Sequence, residues 1–75
     1  MINVLLVFDR SRSTIVERRD YNEDSRAVAL RERAELIRKY ISQSDVEVVL
    51  LGSRSEAELR ATHGRYFSPR IGVSA

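Results

Sequence analysis

A strand that runs through a glycine into a capped helix start can hold an anion, and one stretch of this chain has that form. Val46-Glu47-Val48-Val49-Leu50-Leu51 is followed by Gly52-Ser53-Arg54-Ser55-Glu56. Backbone N–H groups are left free at a helix start, and an arginine beside them adds a charged donor. Ser53, Arg54 and Ser55 are therefore candidate anion contacts. The segment lacks the glycine spacing and the lysine of a phosphate-binding loop. An ordinary capped helix after a tight turn is the competing reading.

A second constellation is basic. Arg10 and Arg12 lie in the polar run Asp9-Arg10-Ser11-Arg12-Ser13, and Arg18 and Arg19 follow across what reads as a hairpin. A hairpin carrying arginines can enter a nucleic-acid groove. Stacking platforms interleave such residues with aromatics, and no aromatic is interleaved here. The competing reading is a solvated loop. His63, near Arg60, Thr62, Arg65 and Tyr66, is the one histidine. A general base needs an orienting partner and a pocket, and no serine–histidine–acid arrangement accompanies it. It reads as a helix-terminal residue packing on the sheet. With no cysteine, disulfides and thiolate metal sites are excluded, and one histidine makes a zinc site of the usual ligands unexpected. No catalytic residue, cofactor or metal is expected.

The charge balance is mild. Thirteen cationic residues, twelve of them arginine and one Lys39, face eleven acidic ones for a net charge of +2. Arginine forks suit phosphates and carboxylates, yet an arginine excess also follows from a GC-rich coding sequence. Interspersed acids and a small net charge do not by themselves make a nucleic-acid binder. No apolar run approaches a membrane span, and the N-terminus does not place positive charge before its apolar run as a secretory signal would. A soluble, cytoplasmic protein is expected.

The elements that must position these residues begin with Ile2-Asn3-Val4-Leu5-Leu6-Val7-Phe8, apolar at six of seven positions. Such a run reads as a strand buried on both faces. Thr14 to Tyr21 is β-branched, then polar, then aromatic, and suits an edge strand paired to the first as a hairpin. Asn22 is a plausible N-cap, with Glu23 and Asp24 on the first turn. From there to Ser42 no glycine or proline intervenes, and Ala27, Leu30, Ala34, Ile37 and Ile41 recur at helical spacing. That stripe should lie against the sheet, with Glu35 and Lys39 as an i,i+4 pair on the wet side. Val46 to Leu51 is a third strand. Val46, Val48 and Leu50 should face one way, and Val49, Leu51 and Glu47 the other. Ser55 and Glu58 have capping-box spacing, and Gly64 reads as the stop of the second helix.

A strand–helix–strand unit sets its two strands parallel. The most apolar strand then belongs between them, in spatial order 2-1-3 with the third strand antiparallel to the first. The expected fold is α+β: a single β-β-α-β-α domain over residues 1–67, a three-stranded mixed sheet with both helices on one face, and a loose tail over 68–75.

The opening Leu5-Leu6-Val7-Phe8-Asp9-Arg10 and the run from Leu51-Gly52-Ser53-Arg54-Ser55-Glu56 through Leu59-Arg60-Ala61-Thr62-His63-Gly64-Arg65-Tyr66-Phe67 resemble small uncharacterised proteins of actinobacteria. The resemblance implies a bacterial or bacteriophage source and brings no activity with it. One small sheet offers little pocket wall, so an enzyme is the least supported class. The chain reads as a protein-interaction or regulatory module with an unidentified protein partner. It should self-associate as a homodimer through the third-strand edge formed by Val46, Val48, Val49, Leu50 and Leu51. The alternative is a nucleic-acid-binding protein that uses the hairpin arginines.

Overall fold

The computed structural model describes residues 1–67; the tail expected over 68–75 lies outside the described residues. Three strands, β1 (Ile2–Asp9), β2 (Thr14–Tyr21) and β3 (Val46–Ser53), form one sheet in the order β2-β1-β3. A 3-10 turn at Glu23–Ser25 leads into helix α1 (Arg26–Lys39), and α2 (Glu56–Thr62) and α3 (Gly64–Phe67) follow β3. The α+β class and the strand order are as the sequence implies. The sheet is not mixed, however. Both ladders are antiparallel, with Leu5 opposite Arg19 on one side and Leu50 on the other. The parallel pair made by the α1 crossover never touches, because β1 lies between its two members.

β1 is the shared wall of two cores. Val4, Leu6 and Phe8 face one side and pack with Leu51, Leu59 and Tyr66. Leu5 and Val7 face the other and pack with Leu36, flanked by Tyr21, Tyr40, Val46, Val48 and Leu50. The helices therefore lie on opposite faces, not on one: α1 covers the Leu5 side, and α2 and α3 cover the Leu6 side. This corrects the one-face expectation and removes the bare sheet face it implied. The turn after Ser53 returns the chain beneath the sheet. There Leu59 is fully buried and the Tyr66 ring meets Phe8 edge-on at 5.1 Å. Gly64, expected to stop a helix, opens α3 instead, with His63 as the C-cap of α2.

Asn3 is the one polar residue in the apolar run, and it is buried. Its amide is satisfied on both sides: Nδ2 donates to the Asn22 carbonyl at 3.3 Å and Oδ1 accepts from Arg26 at 2.9 Å. Burial without such partners would cost a few kcal/mol.

Helix α1 is rotated relative to expectation. Its buried residues are Ala29 and Leu36, while Ala27, Leu30, Ala34 and Ile41 are exposed and Ile37 is half-buried. Two polar anchors set the rotation. Arg26 must reach Asn3, and Glu32 must reach the β2 side, where Arg19 donates to it at 2.8 Å and the Tyr21 hydroxyl donates to the same oxygen. Lys39 lies over the Tyr40 ring at 5.3 Å and makes no ion pair with Glu35 among the described residues.

Candidate functional site

The two edges of the sheet are built differently. Along β2, Glu17, Arg18, Arg19 and Asp20 crowd the outer strand, and the register slips between Val7 and Phe8 so that Val16 forms a bulge. Charge and a bulge are the usual guards of an exposed edge. β3 has neither. The strand carries Val46, Val48, Val49 and Leu50, all half-buried, whereas Leu51, also expected at the edge, is buried in the core. The Val46 N–H donates to the Gln43 carbonyl at 3.0 Å, and no strand pairs with the outer edge among the described residues. Glu47 is the one charge on the strand before Gly52. It is drawn beneath the sheet, accepting from the Tyr66 hydroxyl at 3.0 Å and from Arg65 at 3.4 Å. Burial, then the Glu47 carboxylate, pushes the Tyr66 hydroxyl above the usual phenol pKa. Beside the edge, Arg26, Leu30 and Arg33 of α1 and Val48 to Leu51 of β3 line an open groove of about 360 Å³.

The hairpin arginines do not form one surface. Arg18 points to the α2 face and bridges Asp20 at 2.7 Å and Glu56 at 2.7 Å, with its guanidinium 5.9 Å from the Phe67 ring. Arg19 points to the α1 face and bridges Glu17 at 2.5 Å and Glu32 at 2.8 Å. These carboxylates hold both guanidiniums firmly protonated. In return, the hydrogen bond from Arg18, helped by Arg60, lowers the Glu56 carboxyl to about 2. The Tyr21 hydroxyl, then Arg19, lowers that of Glu32. Arg10 is tied to the β3 approach, with its backbone N–H donating to the Asp45 carbonyl at 2.8 Å and its guanidinium to the Ser44 carbonyl. Arg12 extends into water, 3.9 Å from Asp9. Asp9 organises this turn by accepting from the Ser11 hydroxyl and from the backbone N–H groups of Ser11 and Arg12, and the hydroxyl contact leads in lowering its pKa.

Gly52 and Ser53, expected in a turn, are the last residues of β3, and the short turn at Arg54 and Ser55 that follows already holds a carboxylate. Ser55 Oγ accepts from the Glu58 N–H at 3.1 Å, as the capping spacing implies. The Glu58 carboxylate accepts from the Arg54 N–H at 3.1 Å and the Ser53 hydroxyl at 3.2 Å, and pairs with the Arg54 side chain at 3.2 Å. The donors of Ser53 and Arg54 are thus engaged within the chain. His63 donates its backbone N–H to the Leu59 carbonyl, and no side chain hydrogen-bonds its ring among the described residues. No group of three or more metal-ligating side chains occurs among them either. No helix there is long and apolar enough to cross a membrane.

The residues that sequence reasoning misjudged are those of the α1 flank. Leu30, expected in the core, borders the groove beside β3 instead, while Ala27, Ala34 and Ile41 are exposed and Ile37 is half-buried. No family model, curated protein or solved structure matches the chain.

Proposed function

We propose that this chain is a small non-enzymatic protein-interaction module that self-associates through the outer edge of β3. The observation that carries this reading is the contrast between the edges: β2 is guarded by four charges and a bulge, while β3, past the Val46 N–H, has no partner strand among the described residues for the outer backbone between its apolar side chains. Long apolar edges invite another strand. A two-fold axis satisfies both copies with the same surface. Antiparallel pairing of β3 with its symmetry mate yields a continuous six-stranded sheet. Tyr66 and Phe67, the nearest apolar cover within the described chain, are committed elsewhere. Tyr66 packs on Phe8, and Phe67 lies beneath Arg18 and Arg60. The nucleic-acid alternative draws less support, because Arg18 and Arg19 face opposite sides and are each held by two carboxylates.

Light scattering at micromolar concentration tests the proposal. The expected result is twice the chain mass for the parent and a folded monomer for Val49→Lys. A parent that remains monomeric at hundreds of micromolar would overturn it.

A further inference from the structure

The exposed stripe of α1 is an amphipathic face that the protein's own sheet does not use. At 100° per residue, Leu30, Ala34 and Ile37 lie about 90–150° around the helix from the buried line of Ala29 and Leu36, and Ile41 follows just past the last helical residue, Lys39. They point toward the side where Leu30 borders the groove above Val48 to Leu51. Leu30 is 46% and Ile41 76% exposed. The open edge and this flank form one surface, part strand and part helix. A peptide strand added to β3 would leave the helical part bare.

We infer that the occupant is a second copy of this chain, with α1 packing antiparallel on the partner's α1 directly above the paired β3 strands. The inference rests on the reading of the β3 edge and adds the helical half of the interface. A two-fold axis normal to the sheet keeps α1 of both copies on the same face and reverses their directions. Geometry permits the contact. Helix α1 rests on both β3 and β1, so its axis lies over the gap between them, about half a strand spacing inside β3. The two-fold lies about half a spacing outside β3. With strands about 4.8 Å apart, the two helix axes fall roughly 9–10 Å from each other. Close helix packing needs about 8–10 Å.

The apolar side chains also match themselves, with Arg26 and Arg33 of each copy left beside the seam. β3 runs antiparallel to α1, so the middle of Val46–Leu51 lies under the middle of the helix. Centring an antiparallel helix pair there sets Leu30 against the partner's Ala34 and Ala27 against the partner's Ile37. Each large residue meets a small one, as interdigitated layers require. The same stripe laid on the chain's own sheet would expose Leu36 and pull Glu32 away from Arg19 and Tyr21.

The absence of cysteine permits a clean cross-linking test. Two single-cysteine variants, Leu30→Cys and Ala34→Cys, are mixed, exchanged and mildly oxidised. Facing α-carbons of helices about 9–10 Å apart lie about 5 Å from each other, within disulfide reach. The mixed 30–34 disulfide should dominate, and Glu35→Cys, on the opposite flank, should not cross-link. Sedimentation should show Ala34→Glu raising the dissociation constant at least about tenfold while its far-UV spectrum stays that of the parent. A parent dimer that Val49→Lys disrupts, but in which Ala34→Glu has no effect and the mixed disulfide does not form, overturns the helical half alone. A monomeric parent overturns this inference together with the edge reading.

Discussion

Alanine at Leu36 and at Leu30 separates the two possible rotations of α1. Leu36 is 4% exposed and packs on Leu5 and Val7, whereas Leu30 is 46% exposed. Truncating a buried leucine costs about 2–5 kcal/mol, because lost transfer energy and a cavity add. A chain of this length holds roughly 4–11 kcal/mol in total, so Leu36→Ala should remove a large part of it. Leu30→Ala opens no cavity and removes three carbons that are half in water. At about 0.8 kcal/mol per fully buried methylene, that is about 1 kcal/mol. A small domain loses about 4–8 °C of Tm per kcal/mol, so the two variants should fall by about 10–40 °C and by no more than about 8 °C respectively. The assay is a thermal melt followed by far-UV circular dichroism, at dilutions where the midpoint no longer depends on protein concentration. Equal losses, or a larger one at Leu30, would refute the rotation and with it the exposed flank.

Further outcomes concern the charges. Glu56, held at about 2 by Arg18 and Arg60 against an ordinary 4.5, has a depressed folded pKa. Its contribution is present above pH 4.5 and fades as pH falls toward 2. Glu56→Gln should flatten Tm against pH across that window, and an unchanged slope would mean the Arg18 bridge is not formed in solution. The stripe on α1 is rimmed by Arg26, Arg31, Arg33 and Arg38, so dimerisation brings like charges together. Added salt should therefore tighten the dimer, and a dissociation constant that rises from 50 to 300 mM NaCl would contradict the arrangement. Nucleic acid should respond in the opposite sense, with affinity falling by a log–log slope of about 0.7–0.9 per phosphate contacted. Mobility shifts with duplex DNA, single strands and RNA at low salt should show no complex, and a salt-sensitive shift abolished by Arg10→Ala with Arg12→Ala would favour the hairpin instead.

Much of the fold is legible because β1 is so extreme. Six apolar residues in seven demand cover on both faces, and only the central position supplies it. The order 2-1-3 follows once α1 is seen as a crossover. The rotation of α1 is not legible in the same way. The helix carries two apolar lines, one through Ala29 and Leu36 and one through Leu30 and Ile37, and the second is the richer in aliphatic carbon. The choice falls to Arg26 with Asn3 and to Glu32 with Arg19 and Tyr21, contacts across 13 and 23 residues in the case of Arg19 and Asn3. No local pattern announces them. The same holds for Arg18 and Glu56, separated by 38 residues. The cap at Ser55 is local and was readable. The placement of α2 and α3 beneath the sheet was not, since Leu59 and Tyr66 carry no mark of which face they will reach.

The shared strand has a consequence for how the molecule opens. β1 is bonded along both of its sides and forms the wall of both cores, so neither core can loosen without exposing the other. Its amides should exchange with solvent deuterium only when the whole chain unfolds. Along β3, alternate amides point inward to β1 and outward to the open edge. In an isolated copy, the outward set past Val46, whose N–H is held by the Gln43 carbonyl, should exchange orders of magnitude faster than the inward set, a sawtooth of protection along a single strand. Pairing of the edge would raise the outward amides to match, so a deuterium trace read residue by residue would report whether anything sits there.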